Sequence, residues 1–518
     1  MTERVAEFPF PSWDEDVLEE RYTVNIIGKA LRTALDVMIF GDVESANKIL
    51  NLMYSHNALE YGLADTRVFM HYAWNASGCW PTHIGRPEQD RLPPARDALI
   101  QQQGGIDGPG LIPHLQGLSR KSRADLLDKD PADAAAWSWG DLEKACRMIK
   151  MGTEETVNTA VLPLSVEIAL ELEKHEIAEQ LIRQHLVRPL GDTTLLTHPD
   201  SLAMLHSPRI WKLLCEGWLR RELQVSPGLI KSKVEEVLRL LEKRLLHVPL
   251  RPFRDYSIDR LVQSFNATCL ENRRLGGIGA TRLFKEDAEN EDDKLPATFL
   301  KAPAAEDMIQ GLEDAAKTKG YTTGLPQDYK AFLRVTDGIY AHDHTDWGDN
   351  IFRPVRALDF DDAIDWCVEL LPTESLGFDG DIDIDWPAVD VALNIGAGGD
   401  EGNQWLVPAD LTTKAKEAFL AAYSRADPVG RIRMERAAKD LYGSVEDLMK
   451  LDYVILRMYH WTAELECFAS FHHLLQATLM EAIKGGSEGS VEGDEDAGYI
   501  HDETRTTASL TANPKLKI

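Results

Sequence analysis

Paired cysteines, long apolar runs and basic residues are what this 518-residue chain lacks. Its six cysteines (Cys79, Cys146, Cys215, Cys269, Cys367 and Cys467) are scattered and form no CxxC pair. That excludes a disulfide framework or a zinc cluster of the usual spacing and favours a reducing compartment. No stretch reaches the roughly 20 apolar residues of a membrane span. Residues 1–11 have no apolar core and carry Glu3 and Glu7, so a secretory leader and membrane insertion are not expected, and the expected location is cytoplasmic. Fifty-six Lys+Arg against 85 Asp+Glu leave a formal charge of −29. Such a field repels nucleic-acid phosphates and anionic lipid, and favours basic proteins or cations. It also serves solubility. Catalytic signatures are equally scarce: there is no Gly-x-Ser-x-Gly elbow, HExxH helix, Walker sequence or kinase set. The chain therefore reads as a non-enzyme with no cofactor.

What remains is enough to build packed cores, since 44% of the residues are apolar and twelve are Trp. The length predicts two or three domains. Residues 1–275 are helical wherever they are periodic. Val24, Ile27, Leu31, Leu35 and Met38 mark one helix, and Ala46, Ile49, Leu50 and Met53 mark the next after a break at Gly41-Asp42. Further helices are predicted over 142–149, 166–172, 177–186, 210–219 and 234–246, with a tight hinge at Glu173-Lys174-His175 of the αα-hairpin kind. A stack of helix pairs fits, without a clean repeat, and residues 84–117 interrupt it as an irregular loop. Residues 276–303 have linker composition, and 485–518 read as a disordered acidic tail.

Residues 304–484 read as an α+β domain. Helices are predicted around Met308, Leu312 and Ala316 and over 325–333, strands over 351–358, 388–395, 404–407 and within 454–468, and helices again over 411–423 and 471–483. Within this region Leu325, Tyr329, Phe332 and Leu333 recur at i, i+4, i+7 and i+8, one apolar helical face. Pro326 suits the first turn of that helix, and Gly338 supplies a left-handed stop after it.

Four pieces in this order resemble the SUKH superfamily, which includes fungal cell-wall assembly regulators (Knr4/Smi1-like) and bacterial immunity proteins. They are a helix over 305–317, the Leu325-Pro326-x-x-Tyr329-Lys330-x-Phe332-Leu333 segment running to Asp337-Gly338, the loop Ile395-Gly396-x-Gly398-Gly399-Asp400-Glu401 before Trp405, and Ser470-Phe471 opening the last helix. The family usually has Asn-Gly where this chain has Asp337-Gly338. The resemblance covers about a third of the chain, and a helical insertion over 411–450 departs from compact members. It implies a mostly antiparallel sheet with flanking helices, used as a non-catalytic scaffold for binding proteins, and a role in fungal cell-wall assembly or its signalling.

Residues 351–400 hold twelve Asp/Glu, with only Arg353 and Arg356 as basic residues. A surface for basic partner segments is therefore expected at Asp381, Asp383, Asp385, Asp400 and Glu401, with Trp347 and Asp349 as a neighbouring anchor. The alternating carboxylates over 379–385 invite a calcium reading, but Ile384 stands where the sharp turn needs Gly. His342, His344 and Asp346 alternate as a chelate might, and a polar loop explains them equally well. Gly396 to Gly399 precede a strand and two acids, which suits a hairpin turn better than a phosphate cradle. His472 and His473 are expected at the rim of a core, and Glu464 and Glu466 on one face of a strand. Two alternatives stand beside the adaptor: an immunity-type inhibitor of a nuclease toxin using the same acidic face, and an enzyme whose site lies near Trp137, Trp139, His71 or His83. The partner and the oligomeric state are not written in the residues.

Overall fold

The structure, a computed structural model, describes residues 12–58, 64–84, 127, 129, 137–151, 161–186, 208–274, 298–339, 351–376, 382–398, 402–459 and 464–488. The chain divides into two compact units, one comprising Met1–Val17 and Asn25–Leu246, the other Leu18–Val24 and His247–Ile518.

The described elements of the first unit are all helices. They form α1 (Thr23–Ile39, entering this unit at Asn25), α2 (Val43–Ser55), α3 (Ala64–Ser77), α4 (Trp139–Met151), α5 (Leu162–Glu171), α6 (His175–Leu186), α7 (Pro208–Cys215), α8 (Trp218–Glu222) and α9 (Pro227–Leu246). Neighbours in the chain pack on each other, α2 on α3 and α5 on α6, while α3 also meets α7 and α2 meets α9. The predicted hinge between α5 and α6 is a left-handed stop without glycine: Glu173 has φ +58°, and Lys174 N–H bonds the Ala169 carbonyl at 2.8 Å. Gly41 (φ +82°) ends α1, and a Cβ there would meet Gly217 Cα and the Leu214 carbonyl oxygen at 2.8 Å. Two glycine turns thus touch backbone to backbone, a contact that any side chain at Gly41 would break. The apolar stripe foreseen for α1 understates its burial. Over its last turns Leu35, Asp36, Val37, Met38 and Ile39 are all buried, so this helix is enclosed on every side.

The second unit contains α10 (Ile258–Arg274), α11 (Glu306–Lys317), α12 (Gln327–Val335), β1 (Asp359–Cys367), α13 (Thr373–Leu376), β2 (Ala388–Gly398), β3 (Gly402–Val407), α14 (Ala409–Arg425), α15 (Pro428–Tyr442), α16 (Val445–Met449), β4 (Val454–Tyr459), β5 (Glu464–Phe468) and α17 (Phe471–Glu488). The strands form one antiparallel sheet in sequential order β1-β2-β3-β4-β5. The α+β reading holds, and the period-two pattern of the strands divides the sheet between two cores. Leu393, Ile395, Leu406, Ile455 and Phe468 face a core built with α10, α11, α12 and α17. Ala392, Trp405, Val407, Leu456, Met458 and Cys467 face a second core closed by Leu411, Phe419, Met434 and Leu441 of α14 and α15. The helical insertion between β3 and β4 therefore covers the sheet's second face.

Three sequence expectations need correction here. No strand runs over 351–358: Phe352 makes a single bridge to Ile339, and a 3-10 turn follows at Val355–Ala357. Pro354 cannot donate to a ladder there. The strand lies one step on, in β1, an edge strand whose Asp359, Asp361, Asp362 and Asp365 hide it from a search for apolar alternation. Residues 258–274 do not belong with the amino-terminal helices, because Leu261, Val262, Phe265 and Cys269 of α10 lie in the core beneath α12 and α17. The closing helix runs to Glu488, past the expected boundary at 484. The remaining tail, most of the linker and nearly all of the 84–117 loop lie outside the described residues.

Candidate functional site

The signature segment forms the core of the second unit. Leu325, Tyr329, Phe332, Leu333 and Phe471 are all at most 2% exposed. The rings of Phe332, Phe352 and Phe471 meet at centroid distances of 4.9 to 5.3 Å, and Tyr329 stands 4.9 Å from Phe471. Pro326 occupies the N-cap rather than the first helical turn, its carbonyl accepting Lys330 N–H at 3.0 Å. Gly338 does not stop the helix, which ends at Val335. It has φ +114°, and a Cβ there would approach the Phe352 carbonyl oxygen to 2.6 Å. Glycine is needed for a close backbone crossing beside the Ile339–Phe352 bridge. Asp337 caps the 3-10 turn through Val355 N–H at 2.7 Å. Gly398 ends β2, and Gly399 lies outside the described residues.

One member of the segment was passed over by the apolar pattern. Asp328 accepts His472 N–H at 3.0 Å and the Tyr453 hydroxyl at 2.8 Å, so a carboxylate from α12 caps α17 and ties it to the start of β4. Both histidines of α17 are structural. His472 Nε2 lies 2.6 Å from the Tyr256 carbonyl oxygen and its Nδ1 2.8 Å from Gln476 Nε2, while the buried His473 stacks edge-on against Phe468. Glu466 lies between Arg21 and Arg457. Burial would raise its pKa, but the two guanidiniums hold it below the usual carboxylate value.

Of the expected partner-binding residues, Asp383 and Asp385 are described and exposed, whereas Trp347, Asp349, Asp381, Asp400 and Glu401 lie outside the described residues, as do His342, His344 and Asp346. Residues 382–387 belong to no strand, and Trp386 N–H bonds the Ile384 carbonyl at 2.8 Å, a tight turn centred on Asp385. Ile384 is buried in the second core and Ile382 and Trp386 pack against it. The alternation of Asp and Ile is thus a ribbon pinned by its isoleucines with its aspartates pointing outward. The buried Ile384 separates two exposed carboxylates, which does not make a convergent calcium cage. Among the described residues no three His, Cys, Asp or Glu side chains are placed to hold a metal ion.

The ribbon adjoins the acidic edge strand. Val368 N–H bonds the Pro387 carbonyl at 2.8 Å, and the Cys367 thiol pKa is raised by burial and then by Glu369 and Asp385. Asp359 is exposed and Asp361 half-buried at the other end of β1. Nine residues of strand span about 27 Å, and described carboxylates stand near both ends of it. Among the described residues no strand pairs with the outer side of β1, and carboxylates flanking such an edge resist another strand while attracting cationic side chains.

Asp361 also joins a cluster that the sequence did not reveal. Its Oδ2 accepts the Trp405 indole N–H at 2.8 Å and Asn394 Nδ2 at 2.9 Å, across β1, β2 and β3. The available signal was a single polar residue, Asn394, inside the apolar run of β2. In the first unit, His71 stacks edge-on with Trp74 and Trp80, and His83 stacks on Tyr54. These are aromatic packing contacts of the helical array. No protein-family model, curated protein or solved structure matches this chain.

Proposed function

We propose that the chain is a non-catalytic protein-binding adaptor whose second unit presents an acidic face to basic segments of other proteins. One observation carries this reading: the 382–387 ribbon is anchored by Ile384 so that Asp383 and Asp385 can only face solvent, beside an edge strand that is itself acidic. A solvated loop would not need such anchoring, and a metal loop would turn its carboxylates inward. The SUKH resemblance over residues 304–484 supports placing this adaptor in fungal cell-wall assembly or the signalling that regulates it.

Charge reversal tests the reading. Asp383→Lys combined with Asp385→Lys should slow association with a basic partner by about tenfold and reduce its dependence on salt, with little change in dissociation. Partners recovered by affinity purification of the intact chain would be compared for wild type and the double variant. If every partner is retained with unchanged salt dependence, this face is not the binding surface. Recovery of a basic nuclease as the dominant partner would favour the immunity-type alternative.

A further inference from the structure

The amino-terminal segment Leu18–Val24 closes onto the second unit through a few polar contacts. The Arg21 guanidinium donates to Glu466 Oε1 at 2.6 Å and to the Cys467 carbonyl, and its carbon lies 4.3 Å from the centroid of the Phe468 ring. Thr23 donates its N–H and its hydroxyl to the two oxygens of Asp440, at 2.7 and 2.8 Å. The Leu18 carbonyl accepts Leu250 N–H at 2.6 Å. Two backbone amides, those of Thr23 and Leu250, are thus sealed while this segment is in place.

Cations crowd the ring on which Arg21 rests. The Arg457 guanidinium lies 5.3 Å from the Phe468 centroid, and His473 meets the same ring edge-on at 5.3 Å. Arg251, which donates to the Leu441 carbonyl at 3.0 Å, acts on His473 from the segment before α10. The carboxylates on the elements packed around α17 are committed elsewhere. Glu466 of β5 lies between Arg21 and Arg457, Glu481 holds Arg457, and Asp328 of α12 holds Tyr453 and His472 N–H. Lys330 of α12 pairs with Glu313. α10 packs on α17 through its buried apolar face, with Arg260 held 3.7 Å over the Tyr256 ring. His473 Nδ1 is itself buried with no hydrogen-bond partner. A proton on that nitrogen finds no acceptor, and the charge it brings finds two arginines.

We propose that His473 is an acid-operated release for Leu18–Val24, its protonation driving Arg21 off the Phe468 ring while the sheet stays folded. Burial, then Arg251, Arg21 and His472, all disfavour the imidazolium while the segment is closed. Opening withdraws Arg21 and admits water, which returns the ring to its ordinary proton affinity near pH 6.5. The open state therefore binds the proton that the closed state refuses. Closure weakens by about tenfold for each pH unit below 6.5, until the closed-state pKa is reached. Glu466 does not produce this response, because its two arginines hold its carboxyl below the ordinary value and keep it ionised there. The release does not depend on what the acidic face binds.

Hydrogen exchange of the full chain tests it at the Thr23 and Leu250 amides, with rates corrected for the intrinsic effect of pH. Protection at both should fall about tenfold between pH 7.5 and 5.5. Dilute urea should barely change exchange at these two amides while accelerating it at Leu406 and Ile455 in the sheet, since a local opening exposes little surface. His473→Phe, or His473→Gln if the first variant does not fold, should abolish the pH response. Three results would overturn the proposal, and the first two need only the wild-type chain. They are equal protection at the two pH values, urea dependence at Thr23 and Leu250 as steep as at Ile455, and a pH response that survives replacement of His473.

Discussion

The carboxylate of Asp328 accepts the backbone N–H of His472, so the first turn of α12 caps the first turn of α17, 144 residues later. The same side chain holds the Tyr453 hydroxyl, which makes it the polar junction of two helices and a strand. Asp328→Ala should lower the stability of the second unit by about 1–3 kcal/mol, because it leaves two half-buried donors unmet. Urea unfolding followed through the aromatic signals of this unit would measure it. Association with a basic partner should be unchanged, because the Asp328 carboxylate is committed to Tyr453 and His472.

Tyr329 carries a hydroxyl that the fold does not use. Its oxygen is buried without a hydrogen bond, and burial drives its pKa far above the ordinary phenol value. Tyr329→Phe should therefore be neutral or stabilising by up to about 1 kcal/mol. Phe332→Ala, which empties a fully buried aromatic position, should cost about 3–5 kcal/mol. A pair of denaturation curves decides whether this helix is held by ring packing or by the tyrosine hydroxyl.

Asp36 gives the first unit an unusual pH dependence. The residue is fully buried and neither carboxylate oxygen has a hydrogen-bond partner. Burial raises its pKa well above the usual value, against a smaller opposing pull from Arg32. The folded chain therefore keeps a proton that the unfolded chain releases above about pH 3.9. This contribution to stability is full below that pH and is lost as pH rises through the folded pKa. Asp36→Asn should stabilise the first unit at pH 7 and flatten its response between pH 4 and neutrality, as thermal scans across that range would show.

His473 has the opposite sign in the second unit. Burial, then Arg251, Arg21 and His472, lower its pKa well below the ordinary imidazole value. The neutral ring is stable above about pH 6.5, and stability is lost as pH falls from there towards the folded pKa. Acidification from pH 7 to 5 should thus weaken the second unit while favouring the first. His473→Phe should remove the acid-side loss. Amide exchange protection in α1 and α17 at the two pH values would report the two units separately.

Where apolar residues recur at helical spacing, the sequence already pointed to the structure. The signature positions Leu325, Tyr329, Phe332 and Leu333 are core, and the α5–α6 hinge falls at Glu173. Polar chemistry that depends on distant partners was not legible in this way. Asp328 looks like any first-turn acid until α17 is folded against it. Asp359 to Asp365 look like a solvated run because an edge strand needs only part of its surface buried. Asp361, Asn394 and Trp405 meet only through strand register, and no spacing along the chain encodes that. Gly338 has the left-handed backbone its sequence context suggests, but the need comes from the Phe352 carbonyl and not from a helix end.

The segment Leu18–Val24 carries a consequence for how the protein is made. Arg21 pairs with Glu466 at 2.6 Å and Thr23 donates to Asp440, so residues near the start of the chain complete a unit built mostly from its last half. Arg21 and Glu466 are separated by 445 residues. At about 5–20 residues per second of synthesis, Arg21 waits about 20–90 s for its carboxylate to emerge. The second unit is therefore closed only after Glu466 has been made, and a fragment beginning at His247 would be born without its strap. Supplied in trans, a peptide spanning residues 12–24 should restore that fragment's stability, which makes the amino-terminal segment a separable folding subunit of the carboxy-terminal one.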